Sequence, residues 1–405
     1  MPITAPAIKN GAVVVEEGRI LELGKRDELK KRYSRAKEFH YPLLIPALVN
    51  AHTHLELSSL SLLGHQNDFV SWLVELIKRK NQLTPEQIKE SAEEEIKTSL
   101  ELGITSLGDI VSEPIMLEVH RSSPLFSIVF WELLGRGKGQ VQAKLERAKS
   151  LLGSYNYHLN NSRIGFSPHT PYTASLELYQ KAKHWAEEKD LPLCTHLAES
   201  EEELELVKYG RGRIKQELYS FVGWGDLKVK PLGKSPCELL AEIIDERISL
   251  VHCLEVSDSD LEIICRARAV IHCPRSNLYL SGKLARIPEM LDMGIVVGLG
   301  TDSPASAGDN NLWKEMQEVL SRAGEYPGRE IKPYEILKMA TIGSARAIFR
   351  EKELGSIEKK KLANLVGIDL RVKSENLDSI SQDLIEGALE QKKFTWIAGE
   401  KIANS

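Results

Sequence analysis

The stretch "LLIPALVNAHTHLELSSL", residues 43–60, runs apolar as far as Asn50 and then sets His52 and His54 one residue apart. A strand with no task but burial would gain little from two imidazoles at its end. Alternate residues of a strand share a face, so both rings can aim at one point. Continued alternation carries Glu56 to the same side. The stretch therefore predicts a buried strand with chemistry at its C-terminal end.

Seven further runs share this pattern: "ITSLGDIV" (104–111), "LFSIVFWELLG" (125–135), "RIGFSPHTPY" (163–172), "LPLCTHLAE" (191–199), "ISLVHCLE" (248–255), "AVIHCPRSN" (269–277) and "VVGLGTDS" (296–303). Each ends in polar residues and is followed by a helix-length segment. Strands apolar on both faces, separated by helices, indicate a buried parallel sheet, and eight of them indicate a closed (β/α)8 barrel of the TIM type, in the α/β class. The helices have local signals of their own. In "LTPEQIKESAEEEIKTSLELG", Thr84 is an N-cap, Pro85 the first helical residue and Gln87 the partner of a capping box. Ile88, Ala92, Ile96 and Leu100 line one face, and Gly103 is the stop.

The two ends of the chain read differently. "GAVVVEEGRILELG" (11–24) is a hairpin turning at Glu17-Gly18, and "LVGIDL" (365–370) and "FTWIAGEKI" (394–402) are strands without crossover helices. These segments predict a small, sandwich-like β-domain built from residues 1–46 and 350–405, beside a barrel domain of residues 47–349.

The chain has 405 residues, 42% hydrophobic and 27% charged, with a formal net charge of −5. That is the profile of an ordinary soluble protein, without the basic footprint of a nucleic-acid or anionic-membrane binder. Its first residues lack the basic start and continuous apolar core of a signal peptide, and no run is long enough to span a bilayer. Five scattered cysteines without a C-x-x-C motif fit a reduced, cytoplasmic protein.

Of eleven histidines, six (His52, His54, His169, His196, His252 and His272) fall at the C-terminal ends of predicted barrel strands. Barrel enzymes keep their active sites on that face. His-x-His alone is a weak metal signal, and a hydrogen-bonded polar pair would look the same. The rest of the set strengthens it: "THLAE" brings His196 and Glu199, "LVHC" brings His252 and "GTDS" brings Asp302. Neutral imidazole and carboxylate suit Zn²⁺ or Fe²⁺, and an ion held by them makes hydroxide available near neutral pH.

The pieces "NAHTH", "SPHTPYT", "THLAE", "VHC", "HCPRSN" and "GTDS" resemble, in order and placement, the amidohydrolase superfamily in its mononuclear deaminase and chlorohydrolase branch. The resemblance implies one divalent ion, Zn²⁺ or Fe²⁺, bound by His52, His54, His196 and Asp302. It implies His252 as the partner of the hydrolytic water, Glu199 as the proton shuttle and Asp302 as a second proton carrier. Glu199 also fits as a first-turn carboxylate of the acidic "ESEEELE" helix, and the two roles are compatible. Binuclear amide and ester hydrolases of the superfamily carry a bridging Lys, usually at the end of the fourth strand, where this chain has "SPHTPY". A scaffold protein that had lost its metal would lack a ligand, and here all of them are present.

For the substrate, the resemblance implies an adenosine-like nucleoside contacted by His169, with Ser276 and Asn277 shaping the purine pocket. "NAHTHLELS", "FVSWLVELIKRK" (69–80) and "FWELLGR" look most like the aminodeoxyfutalosine deaminases of an alternative menaquinone pathway, which release ammonia and futalosine. S-adenosylhomocysteine and methylthioadenosine deaminases come next, then guanine deaminases and chlorohydrolases. A benzoate-bearing substrate calls for a cationic clamp. Arg136 is the nearest candidate, with Arg79, Arg211 and Arg213 behind it. For any one of these arginines a surface charge is the readier explanation. Trp72 either closes over the ribose end or packs as a core aromatic, and Glu56 either binds a ribose hydroxyl or supports the site from behind. The "PASAGDNNLW" after "GTDS" departs from the family's more frequent "GAASNN" and alters the pocket near Ser303. A homodimer is compatible with the resemblance, since related barrels often pair.

Overall fold

The computed structural model describes residues 1–372 and 374–402. Its eight barrel strands are, in order, Leu48–Thr53, Ile104–Val111, Ile128–Leu133, Ser162–Pro168, Leu193–Leu197, Ile248–His252, Ala269–His272 and Val297–Leu299. Each is hydrogen-bonded in parallel to its neighbour in sequence. The ring closes between the eighth strand and the first. Thr301 N and Asp302 N donate to the carbonyl of His52 at 2.9 and 3.1 Å, and His54 N donates to the carbonyl of Asp302 at 3.2 Å. Asn50 stitches the same seam, donating to Thr301 Oγ1 at 2.7 Å and accepting from Thr301 N at 3.2 Å. A Cβ at Gly300 would stand 2.7 Å from that of His52, so only glycine permits this approach.

Side-chain alternation separates two cores. Val49, Ala51, Ile128, Phe130, Cys194 and Val251 belong to one buried cluster, joined by Ala345, Ala347 and Ile348. Their alternates Leu48, Val129, Leu193 and Leu250 belong to the larger cluster shared with the helices. The first cluster is the barrel's filled interior, and the second is the layer between sheet and helices. The helix Pro85–Glu101 forms as its sequence requires, with the Thr84–Gln87 capping box and buried Ile88, Ala92, Ile96 and Leu100. Gly103 follows at φ 82°, where a Cβ would strike Val366. No helix among the described residues is long and apolar enough to cross a membrane.

The opening stretch divides. Leu43–Pro46 pairs antiparallel with Leu365–Ile368, in a four-stranded sheet completed by Lys393–Ile397 and Glu400–Lys401, while Leu48–Thr53 enters the barrel. What reads as one strand in the sequence thus serves two sheets. The hairpin Gly11–Glu16 and Arg19–Lys25 turns at Glu17 (φ 48°) and Gly18 (φ 77°), the left-handed pair of a tight two-residue turn. It forms a separate two-stranded sheet that packs on the four-stranded one through Ile20, Ala363, Leu365, Val13 and Leu44. One expectation is corrected: a helix, Leu377–Gly387, does connect the C-terminal strands. Asn376 caps it, and Ile380, Leu384 and Ile385 are buried on its apolar face.

Candidate metal and proton-transfer site

Breaks in strand regularity aim the site's side chains. His252 has the parity of Leu250 and in a regular strand would face the helices. Its φ of 72° turns it instead. Asp302, at φ 60°, bends likewise just past the eighth strand, and pairing of the first strand with the second is irregular between Asn50 and Thr53. The ring nitrogens and carboxylates then converge. His52 Nε2 and His54 Nε2 lie 3.5 and 3.6 Å from Asp302 Oδ1, and His54 Nε2 lies 3.4 Å from His196 Nε2. Possible ligand atoms of His52, His54 and Asp302 all lie within 4.8 Å of one another, as do those of His52, His196 and His252.

This arrangement fits a cation. His52 Nε2 and His252 Nε2 are buried without any hydrogen-bond partner, a costly state for polar atoms with nothing to bind. Burial lowers the pKa of His52 and His196 below the ordinary imidazole value, and that of His54 to about 3, so the rings present neutral nitrogens. Burial alone would raise Asp302, but the neighbouring imidazoles, His52 nearest at 3.5 Å, outweigh that and keep it ionised. The groups behind these residues orient them. Ser276 Oγ and Ser306 Oγ donate to Asp302 Oδ2 at 2.6 and 3.0 Å, leaving Oδ1 for the centre. His196 Nδ1 donates to the carbonyl of His169 at 3.2 Å, which points its Nε2 inward.

Glu199 lies next to this cluster, its Oε1 3.5 Å from His252 Nε2. Burial first, then the negative charge of Asp302, lifts its pKa well above the usual carboxylate value. A raised pKa makes the Glu199 carboxylate a stronger base than an exposed one, and once protonated a donor matched to neutral pH, which suits a proton shuttle. His169 is on the same rim, its ring centroid 4.9 Å from that of His196 and its Nδ1 2.9 Å from Thr173 Oγ1.

The remaining residues expected at the substrate are Glu56, Trp72, Asn277 and Arg136. The alternation stops at His54, because Leu55–Leu57 form a 3-10 turn begun where Leu55 N donates to Asp109 Oδ1 at 2.9 Å. Asp109 Oδ2 is in turn 2.7 Å from His120 Nε2. Glu56 therefore faces the end of the second strand. It accepts from Ser112 N at 2.9 Å, Glu113 N at 3.1 Å and the ammonium of Lys80. Trp72 is a core aromatic, buried beside Phe69, with its indole N–H donating to the Ala305 carbonyl at 3.1 Å. Asn277 is buried between His252 and His272. Arg136 donates to the carbonyl of Pro171 at 2.6 Å and borders a cavity of about 280 Å³ that Lys228 and Lys230 also line. Lys80 and Asp109 escaped the sequence reading because their partners, Glu56 and Leu55, are remote in sequence, whereas Ser306 stands only four positions from Asp302 and was simply not singled out.

The Amidohydrolase family profile matches residues 43–400, and a profile for an imidazolonepropionase-like composite domain of bacteria matches residues 11–33. A 5-methylthioadenosine/S-adenosylhomocysteine deaminase of Clostridium tetani is 26% identical, across 98% of this chain and 92% of that protein. A 5'-deoxyadenosine deaminase of Methanopyrus kandleri is 24% identical, across 98% and 90%. Among solved structures, the aminofutalosine deaminase of Helicobacter pylori superposes with a TM-score of 0.84 at 23% identity, covering 99% of this chain and 97% of that one. A zinc-bound adenosine deaminase of Xanthomonas campestris gives 0.77 at 21%, covering 99% and 90%. The family match spans most of the chain and coincides with the barrel and its site: this protein is a hydrolase that belongs to the amidohydrolase family.

Proposed function

We propose that this chain hydrolytically removes the amino group of an adenosine-like nucleoside, using one divalent ion, Zn²⁺ or Fe²⁺, held by His52, His54, His196 and Asp302. The observation that carries the reading is the convergence of partnerless ring nitrogens and the Asp302 carboxylate on one point, with Glu199 beside it. When bound, the ion supplies Lewis-acid activation of water. The chain's own groups move the protons. Glu199 takes one from the attacking water and passes it to the ring nitrogen, while a carbon–oxygen bond forms at the amino-bearing carbon. Asp302 takes the second proton and delivers it to the amino group. The carbon–nitrogen bond then breaks, and ammonia leaves.

For the substrate we favour 6-amino-6-deoxyfutalosine. Support comes from the near full-length likeness to the Helicobacter pylori enzyme. Deamination of methylthioadenosine or S-adenosylhomocysteine is the second reading, favoured by relatives such as the Clostridium tetani deaminase. Zinc-loaded protein offered aminodeoxyfutalosine, methylthioadenosine, S-adenosylhomocysteine and adenosine, with the adenine-to-hypoxanthine absorbance change followed, separates them. The expected result is a kcat/KM for aminodeoxyfutalosine at least roughly tenfold above the others, about 1.4 kcal/mol of discrimination. Preference for a sulfur nucleoside transfers the assignment to the second reading, and turnover of none, with metal bound, removes both.

A further inference from the structure

We propose that Asn277, backed by His272 and Tyr326, is a positioning residue that fixes which ring nitrogen of His252 carries the proton. The four side chains form one hydrogen-bonded chain. His252 Nδ1 is 2.8 Å from Asn277 Oδ1, Asn277 Nδ2 is 3.3 Å from His272 Nδ1, and His272 Nε2 is 2.9 Å from Tyr326 Oη. His252, Asn277, His272 and Tyr326 are all buried, so the groups must satisfy one another without solvent.

The chemistry of the amide sets the direction. A carbonyl oxygen only accepts, so Nδ1 of His252 bears the hydrogen. The amide nitrogen only donates, so Nδ1 of His272 is bare, and its Nε2–H donates to Tyr326. The consequence is felt at the other end of the chain, where His252 Nε2 has no protein partner and lies 3.5 Å from Glu199 Oε1. A bare Nε2 can accept a hydrogen bond from the attacking water. If it gains a proton, Asn277 Oδ1 still holds Nδ1–H and stabilises the imidazolium.

The backbone explains why a tether is needed. His252 has left regular strand geometry, with φ 72°, and so its ring is not oriented by the sheet. Asn277 can serve as that tether because its own helix, Pro274–Ser281, is pinned. Arg275 binds the buried carboxylate of Glu315 at 2.7 Å and Asp309 Oδ1 at 2.8 Å. Both polar ends of Asn277 are thus committed inside the protein.

The catalytic consequence rests on the proposed hydrolytic reading, but the tautomer does not, and it can be read without substrate. Zinc-loaded protein labelled with ¹⁵N-histidine, with His252 assigned by comparison with His252→Gln, should show Nδ1 protonated and Nε2 bare. Asn277→Leu should scramble that tautomer and lower kcat roughly 100-fold, with KM changed less than about threefold. Asn277→Asp, whose carboxylate can accept from Nδ1–H, should restore the tautomer and most of kcat. A wild-type His252 protonated at Nε2 overturns the proposal, as does an Asn277→Leu variant that keeps both tautomer and kcat. If no nucleoside is turned over, the ¹⁵N shifts of wild type and Asn277→Leu still decide it.

Discussion

Around the seam between the eighth and first strands, and at the neighbouring strand ends, the main chain brings the reactive side chains together, and the side chains behind them only fix their rings and carboxylates. The seam bonds the backbone of His52 and His54 to that of Asp302, and positive φ values turn Asp302 and His252 towards the centre. At the rim formed by the ends of the second to fourth strands, side chains hold side chains. Glu56 takes Lys80 and Ser112, and Glu132 approaches His169 at 3.7 Å. The first arrangement leaves polar atoms bare for an ion, whereas the second consumes them. A reaction centre must keep unmet bonding capacity, and a scaffold must not.

The largest expected effect breaks the centre without touching the metal. Glu199→Gln removes the buried carboxyl that lies 3.5 Å from His252 Nε2 and outside the ligand cluster. Turnover should fall at least roughly 1,000-fold, about 4 kcal/mol in the barrier, while metal content by elemental analysis stays stoichiometric. An active Glu199→Gln variant would assign the proton transfer to another group.

The rim should answer the opposite test. Lys80→Met leaves Glu56 buried, with its charge met only by Ser112 and Glu113, and breaking a buried pair costs about 3 kcal/mol. Urea unfolding should show that loss. The double variant Glu56→Gln with Lys80→Met should recover most of it, since no charge is then stranded. If the double variant is as unstable as the single, the pair is not the rim's fastening and the contrast between the two regions fails there.

This contrast also explains what the sequence revealed. His52, His54, His196, His252 and Asp302 were readable because each sits at the end of a strand whose apolar run announces it. The barrel was readable for the same reason, since eight such runs alternate with helical segments. Glu56 was misplaced because a 3-10 turn, set by Asp109 over fifty positions away, interrupts the alternation that would have aimed it. Asn277 looked like a pocket residue because its two partners, His252 and His272, precede it on separate strands. The opening run gave no sign of dividing because Pro46 and Ala47 are as buried as the residues around them. Only the pairing partners differ.

Glu203 tests a place where the two devices meet. Ala198 has φ 51°, and this kink presents Glu199. A side chain holds the kink, with Glu199 N donating to Glu203 Oε2 at 2.9 Å. Glu203 is fully buried and its Oε1 has no partner. Burial, aided by the nearby Glu199 carboxyl and only partly offset by the backbone N–H bonds, raises its pKa to about 8. Its proton is therefore held in the folded state and released on unfolding at any pH between the ordinary value of 4.5 and about 8. Its stabilising contribution is complete below the lower value and is lost as pH rises through the window, by up to about 1.4 kcal/mol per pH unit. Glu203→Gln keeps an oxygen for the Glu199 amide and removes the titration. The Tm difference between Glu203→Gln and wild type should therefore move in the variant's favour from pH 5 to 8 and level off above, whatever constant offset the amide introduces. A difference flat across that range would mean that Glu203 is ionised in the folded protein and that a charge, not a neutral carboxyl, holds the kink.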